Sequence, residues 1–142
     1  MEPGKRFYEY RHVVSFQETN LVGNVYFTNH LAWQGRCREL FLREHAPDVI
    51  GQLGDNFSLA TVSCSCEYFA ELAVFDEVVV RMRLAELVQN RMRLAFELWR
   101  GKDLVARGEQ QIACMKSDGK TMTPAPVPAS LRAALAAYKS DE

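Results

Sequence analysis

A strict period-two alternation through the middle of the chain limits what it can fold into more than any other feature. Val78, Val80, Met82 and Leu84 alternate with Val79, Arg81, Arg83 and Ala85. Met92, Leu94, Phe96 and Leu98 alternate with Arg91, Arg93, Ala95 and Glu97. Successive strand side chains point to opposite faces, so this pattern predicts half-buried strands with one dry and one wet face. Turn residues at Gln89-Asn90 and Arg100-Gly101-Lys102-Asp103 separate them from each other and from a strand over Leu104 to Met115, which ends at Ser117-Asp118-Gly119. Phe7 to Phe16 reads as a further strand, and the chain from Asn56 onward as successive hairpins.

Set against these strands is one long helical signal, from about Asn29 to His45. It stops before Pro47 because a residue preceding proline avoids the helical region. Pro124, Pro126 and Pro128 form a stiff spacer ahead of a short terminal helix at 130–138. One strand, one long helix and a run of antiparallel strands make an α+β plan, in which a curved sheet covers the helix's apolar arc. A sheet with a single helix is thin for its size, so burial is expected to continue across a dimer interface formed by two sheets joined edge to edge.

Composition narrows the function classes. The chain has 142 residues, expected as one domain over 1–142, with its core at about 6–128. Lys and Arg number 17 against 18 Asp and Glu, a net charge of −1. Proteins built to bind nucleic acid or anionic membranes carry a basic excess, so neither is an expected partner. An apolar share of 48% excludes wholesale disorder. There is no apolar run near the roughly 18 residues of a membrane span, and MEPGKRFYEY lacks an apolar leader core, so a cytoplasmic location is expected. Cys37, Cys64, Cys66 and Cys114 lack the spacing of a zinc site, and Cys64 and Cys66 would splay along one strand face; reduced, buried thiols are expected. With no glycine-rich phosphate loop and no ligand-spaced cluster, neither metal nor nucleotide cofactor is expected.

On a helical wheel Arg36, Glu39 and Arg43 form a compact solvated stripe, whereas Arg38 falls between Leu31, Phe41 and Leu42. A guanidinium on the apolar side keeps its charge and needs a polar or anionic partner. Two readings stand: it pairs with a carboxylate or snorkels to water, or it is aimed into a pocket to hold developing negative charge. Gly35, one turn earlier on nearly the same side, suggests close approach by another group, or equally simple tight packing against the sheet. The histidines, His12, His30 and His45, are not spaced with a serine or cysteine as a catalytic pair. Arg81, Arg83, Arg91 and Arg93 read either as a solvated face balanced by Glu97, or as a dock for an acidic carrier or phosphopantetheine.

The segment from Phe16 to Phe27, FQETNLVGNVYF, followed by Trp33 and Arg36-Cys37-Arg38, resembles the hotdog-fold acyl thioesterases of the 4-hydroxybenzoyl-CoA thioesterase type. The resemblance runs from about residue 6 to Pro128 and takes in Glu67-Tyr68-Phe69-Ala70. It implies a hotdog fold, a curved antiparallel sheet around one central helix. That family places an aspartate after the threonine of the loop, and some members a glutamate on the helix. Here those positions hold Asn20 and Gly35. The missing acid, with the stretch GNVYFTNHLAWQGRCRE, is similar to the enediyne polyketide thioesterases.

That likeness implies hydrolysis of a polyketide or polyene acyl chain from the acyl carrier protein of an iterative polyketide synthase. It also implies no cofactor and a homotetramer built as a dimer of dimers. Alternatives are a general acyl-CoA thioesterase, or an acyl-binding hotdog protein without catalysis. Under the catalytic reading, Arg38 attracts hydroxide or stabilises the oxyanion and Asn20 orients the nucleophile. The Val25, Tyr26 and Phe27 amides at the helix N-terminus and the Tyr26 hydroxyl line the oxyanion and substrate site together with Gly35, and Thr61 and Ser63 are weaker candidates. Read from the loop alone, Asn20 equally suits an Asx bond closing its own turn.

Overall fold

The computed structural model describes residues 6–139; the first five and last three residues of the expected 1–142 domain lie outside the described ones. Six strands and three helices follow one another in this order. Strand β1 is Tyr8–Val13, followed by a 3-10 turn at Phe16–Glu18. Helix α1 is Thr28–His45 and helix α2 is Pro47–Gln52. Strands β2 (Phe57–Tyr68), β3 (Glu77–Val88), β4 (Arg91–Arg100), β5 (Asp103–Ser117) and β6 (Met122–Pro124) come next, and helix α3 is Ala129–Ala136. All pairings are antiparallel, in the order β1-β3-β4-β5-β2, with β6 added to the end of β5.

The alternation selects the core as expected. Val78, Val80, Met82 and Leu84 of β3 and Met92, Leu94, Phe96 and Leu98 of β4 are all buried. They meet Trp33, Cys37, Phe41 and Leu42 of α1 on the dry face of the sheet. Each such side chain contributes about 1.5–3 kcal/mol when fully buried, which holds a helix with few local supports of its own onto the sheet. The turns fall where expected, with Gln89 and Gly101 at positive φ of 55° and 60°.

Two expectations need correction. The strands after Asn56 are not all successive hairpins: β2 pairs with β5, in register Phe57↔Lys116 to Tyr68↔Ala106, and not with β3. Because β4 already occupies the place between β3 and β5, β2 takes the free side of β5 and becomes an edge. Val62 is an extra residue in that strand, since Thr61 pairs with Ile112 and Ser63 with Gln111. The second correction follows from the first. All four cysteines are free thiols, but Cys64 is exposed and only Cys37 and Cys114 are fully buried. Residues 61–65 of β2 are exposed on both faces of this edge strand, and Cys64 lies among them.

No described helix is long and apolar enough to cross a membrane. Among the described residues no group of three or more His, Cys, Asp or Glu is placed to hold a metal ion. Three of the four arginines have ion pairs, Arg81 with Glu9 (2.9 Å), Arg93 with Glu109 (2.8 Å) and Arg83 more loosely with Glu97 (3.8 Å); among the described residues Arg91 has none, and the buried Arg83 Nε has no hydrogen-bond partner.

Candidate functional site

The loop that leads into α1 is held by one carboxylate. Glu18 accepts from the Ser15 amide (2.9 Å), from His12 Nε2 (2.8 and 2.9 Å to its two oxygens) and from Trp33 Nε1 (2.8 Å). Tyr10 donates its hydroxyl to His12 Nδ1 at 2.7 Å, which fits a ring carrying its proton on Nε2. β1, the loop and the second turn of α1 are thereby tied to one point. Burial would raise the Glu18 pKa, but the donors from Ser15, His12 and Trp33 outweigh it and hold the carboxyl below its ordinary range.

Asn20 sits in this loop and is exposed. Its Oδ1 accepts from the amides of Val22 (3.0 Å) and Asn24 (3.3 Å), and the Asn20 and Asn24 backbones also bond at 2.8 Å. The carboxamide oxygen therefore closes its own turn. Gly23, at φ +92°, completes a bend that other residues adopt only with strain.

Two of the three candidate amides are engaged. Val25 N–H donates to Leu72 O and Tyr26 N–H to Glu18 O, each at 2.8 Å. Among the described residues Phe27 N–H has no such carbonyl partner, and Phe27 is the N-cap of α1, where backbone donors point outward and the helix dipole favours negative charge. The Tyr68 hydroxyl donates to Phe27 O at 2.7 Å and fixes the end of β2 against this helix start. Val25, Phe27, His30, Tyr68, Phe69 and Leu72 line a half-open hollow of about 280 Å³. His30 is 3% exposed and packs on Trp33 and Tyr68. Desolvation pushes its pKa down, so the ring is neutral at pH 7 and donates Nδ1–H to Phe27 O.

Arg38 lies ten residues beyond Thr28 on α1, about 15 Å along the axis from the helix start. It is half-buried and donates Nη1–H to Gln110 Oε1 of β5 at 2.9 Å. Among the described residues no carboxylate lies within ion-pair distance of it. Burial pushes its pKa down, opposed by the charge of Glu39, yet a guanidinium remains protonated. Of the carboxylate pairing, the snorkel and the pocket that the sequence left open, the ion pair is absent among the described residues, and the side chain that Arg38 bonds is a neutral amide.

Sequence reasoning missed two residues here. Gln34 of α1 is fully buried, donates Nε2–H to the Ser65 carbonyl of β2 (3.2 Å), and accepts from Gln110 Nε2 (3.4 Å). Gln110 is 5% exposed. The signal was available: Gln34 falls on the buried arc of α1 and Gln110 in an apolar strand, and amides on dry faces need partners.

Within one chain these residues form two separate groups, Asn20 with the amides at the helix start and Arg38 with Gln34 and Gln110 deeper along it. Thr61 and Ser63 are exposed on the edge strand β2. Gly35 is half-buried, and a Cβ built on it meets nothing within 4 Å. The close approach expected at Gly35 does not come from this chain.

A family model described as the thioesterase-like superfamily matches residues 14–135. The chain belongs to that superfamily. It shares 47% identity with the dynemicin thioesterase over 96% of this chain and 100% of that one, with a TM-score of 0.93; that protein's crystal structures describe polyene binding. A 1,4-dihydroxy-2-naphthoyl-CoA thioesterase from Synechocystis superposes with a TM-score of 0.81 at 21% identity, covering 92% of this chain and 96% of that one. The gentisyl-coenzyme A thioesterase BH1999 gives 0.78 at 23%, covering 90% and 98%. These two share the fold. Comparison with curated protein sequences gives no match. The thioesterase-type hotdog architecture is therefore both the family and the fold of this chain.

Proposed function

We propose that this thioesterase releases a polyketide acyl chain of polyene type from the phosphopantetheine arm of an acyl carrier protein, in the assembly of an enediyne antibiotic. The observation that carries the chemistry is Arg38, a half-buried cation whose partner is a neutral amide. Thioester hydrolysis builds negative charge on the attacking hydroxide and then on the tetrahedral oxyanion. A cation with no ion-pair partner in a partly desolvated site stabilises both. The substrate class is supported by 47% identity to the dynemicin thioesterase across nearly the whole chain.

In this reading no carboxylate attacks. Arg38 draws hydroxide to the acyl carbon, the Asn20 amide orients it, and the Phe27 N–H at the start of α1 holds the oxyanion. The thiol of the carrier arm leaves, and the free acid departs with the new C–O bond. The two groups of residues come together through a second copy of the chain. The reading is supported by the unpaired edge of β2, by its exposed Thr61 and Ser63, and by the open face over Gly35. Two such dimers form the tetramer.

The test is release of a polyene acyl chain loaded on a carrier protein, compared with the same chain on coenzyme A. Faster release from the carrier is expected. Equal or better turnover of coenzyme A thioesters would favour a general acyl-CoA hydrolase, and no turnover of either would leave an acyl-binding protein.

A further inference from the structure

The chain of amides behind Arg38 has a direction, and that direction is fixed at one end. Ser65 contributes a backbone carbonyl, which can only accept. Gln34 must therefore turn its Nε2 toward it (3.2 Å) and its Oε1 toward β5. Gln110 must then present Nε2 to Gln34 Oε1 (3.4 Å), which leaves Gln110 Oε1 facing Arg38 Nη1 (2.9 Å). No member can flip without breaking the bond behind it. Both glutamines are buried, so a flipped amide would leave unpaired polar groups in the core.

Packing preserves the relay. A Cβ on Gly108 would lie 2.6 Å from Gln34 Nε2 and 2.0 Å from Ser65 O, so only glycine leaves room for the helix amide to reach the edge strand. Four positions on three elements thus converge on holding one guanidinium nitrogen.

A carboxylate at position 110 would hold Arg38 as firmly, or more so, but would cancel its charge. A neutral amide orients the cation and leaves the charge available. We infer that Gln110 is a positioning residue for the hydrolysis, which aims Arg38 through a relay anchored at Gln34 and the Ser65 carbonyl while adding no counter-charge of its own. The inference rests on the proposed role of Arg38 and names what makes that role possible.

The experiment measures hydrolysis of an acyl-N-acetylcysteamine thioester by the full-length protein as Arg38→Ala, Gln110→Leu, Gln110→Glu and the double variant Arg38→Ala/Gln110→Leu, with thermal unfolding of each. Gln110→Leu is expected to lower kcat by about 10²-fold with KM little changed, the usual effect of misaiming a group at the reacting atoms. In the Arg38→Ala background the same change should have no further effect on rate, because its target is gone. Gln110→Glu should lower the rate near neutral pH. Its activity relative to wild type should recover as the pH falls and the new carboxyl protonates to a neutral acceptor. Thermal unfolding of Gln110→Glu over the same pH range separates the two roles: a structural role moves the melting temperature in step with the rate, a positioning role moves the rate at unchanged stability.

Three outcomes overturn the inference: additive losses in the double variant, Gln110→Glu activity at a constant fraction of wild type across pH, or wild-type kcat in Gln110→Leu while Arg38→Ala is impaired. If Gln110→Leu does not fold, the pH ratio of Gln110→Glu decides alone. Full activity in Arg38→Ala itself would instead remove the functional reading beneath the inference.

Discussion

Gly108 and Gln34 meet so closely that a Cβ on the glycine would come within 2.6 Å of the glutamine Nε2. The helix therefore touches β5 and β2 through a polar side chain at the one place where the sheet has no side chain of its own. Two buried amides and a guanidinium are stacked between α1 and β5 as a result, where a hotdog core is otherwise apolar.

Gly108→Ala should destabilise the fold by about 1–3 kcal/mol, the range for forcing extra volume into a packed site. Part of that loss comes from breaking the Gln34 bond to Ser65 O. Denaturant unfolding of the variant gives the number, and a stability equal to wild type would mean that β2 shifts freely to make room.

Arg38→Ala should lower the rate of thioester hydrolysis by about 10²–10³-fold, as for the removal of an oxyanion donor. Asn20→Ala should lose less, and part of its effect will come from the loop, because Asn20 Oδ1 holds the Val22 and Asn24 amides. Asn20→Asp separates charge from geometry, since an aspartate keeps both acceptor bonds. If Arg38 holds hydroxide, the new anion repels it and the rate falls. Steady-state kinetics on a single acyl thioester reads all three, and a rise in Asn20→Asp would mean that Asn20 only stands in for a lost acid.

Glu18 ties acid stability to the loop. Its folded pKa lies below its unfolded value, so the unfolded state binds the proton first as the pH drops. Its stabilisation is present above the ordinary glutamate value of about 4.3 and is lost as the pH falls through the lowered folded value. Glu18→Gln should show lower stability at pH 7 and a smaller loss on acidification below about 4.3. Melting temperatures of both proteins across pH 3–7 would show parallel curves if the carboxylate's bonds to His12 and Trp33 were immaterial.

His30 acts at higher pH. Burial lowers its folded pKa, so protons favour the unfolded state once the pH falls below the ordinary histidine value of about 6.5. His30→Phe keeps a ring beside Trp33 and Tyr68 and removes the titration. Wild type should lose stability between about pH 6.5 and 5 to a greater extent than the variant. Equal slopes over that interval would argue that His30 titrates as it does in water.

The alternation on β3 and β4, the turns at Gln89-Asn90 and Gly101, and the helix stopped before Pro47 are local properties, set by periodicity and backbone sterics, and the sequence alone determined them. It also determined that Arg38 faces the sheet, because helical phase is a local quantity. The boundaries moved slightly: α1 begins at Thr28 and the terminal helix is Ala129–Ala136. The short α2 and β6 carry too few residues to show a period and were not legible.

Tertiary structure alone decided the rest. β2 and β5 have similar strand chemistry to β3 and β4, so no local signal says that β2 crosses to the far side of β5 and leaves an edge. Ser65, Gly108, Gln34 and Gln110 are separated by up to 76 positions, and each is an ordinary residue in its own segment. Their joint role depends on the register Cys66↔Gly108 and on where α1 crosses the sheet. Hydrogen bonds between buried amides are specified by three-dimensional proximity, and one dimension of sequence holds only the residue types. The sequence showed that Arg38 needed a partner, and only the fold decided that the partner is an amide that leaves its charge intact.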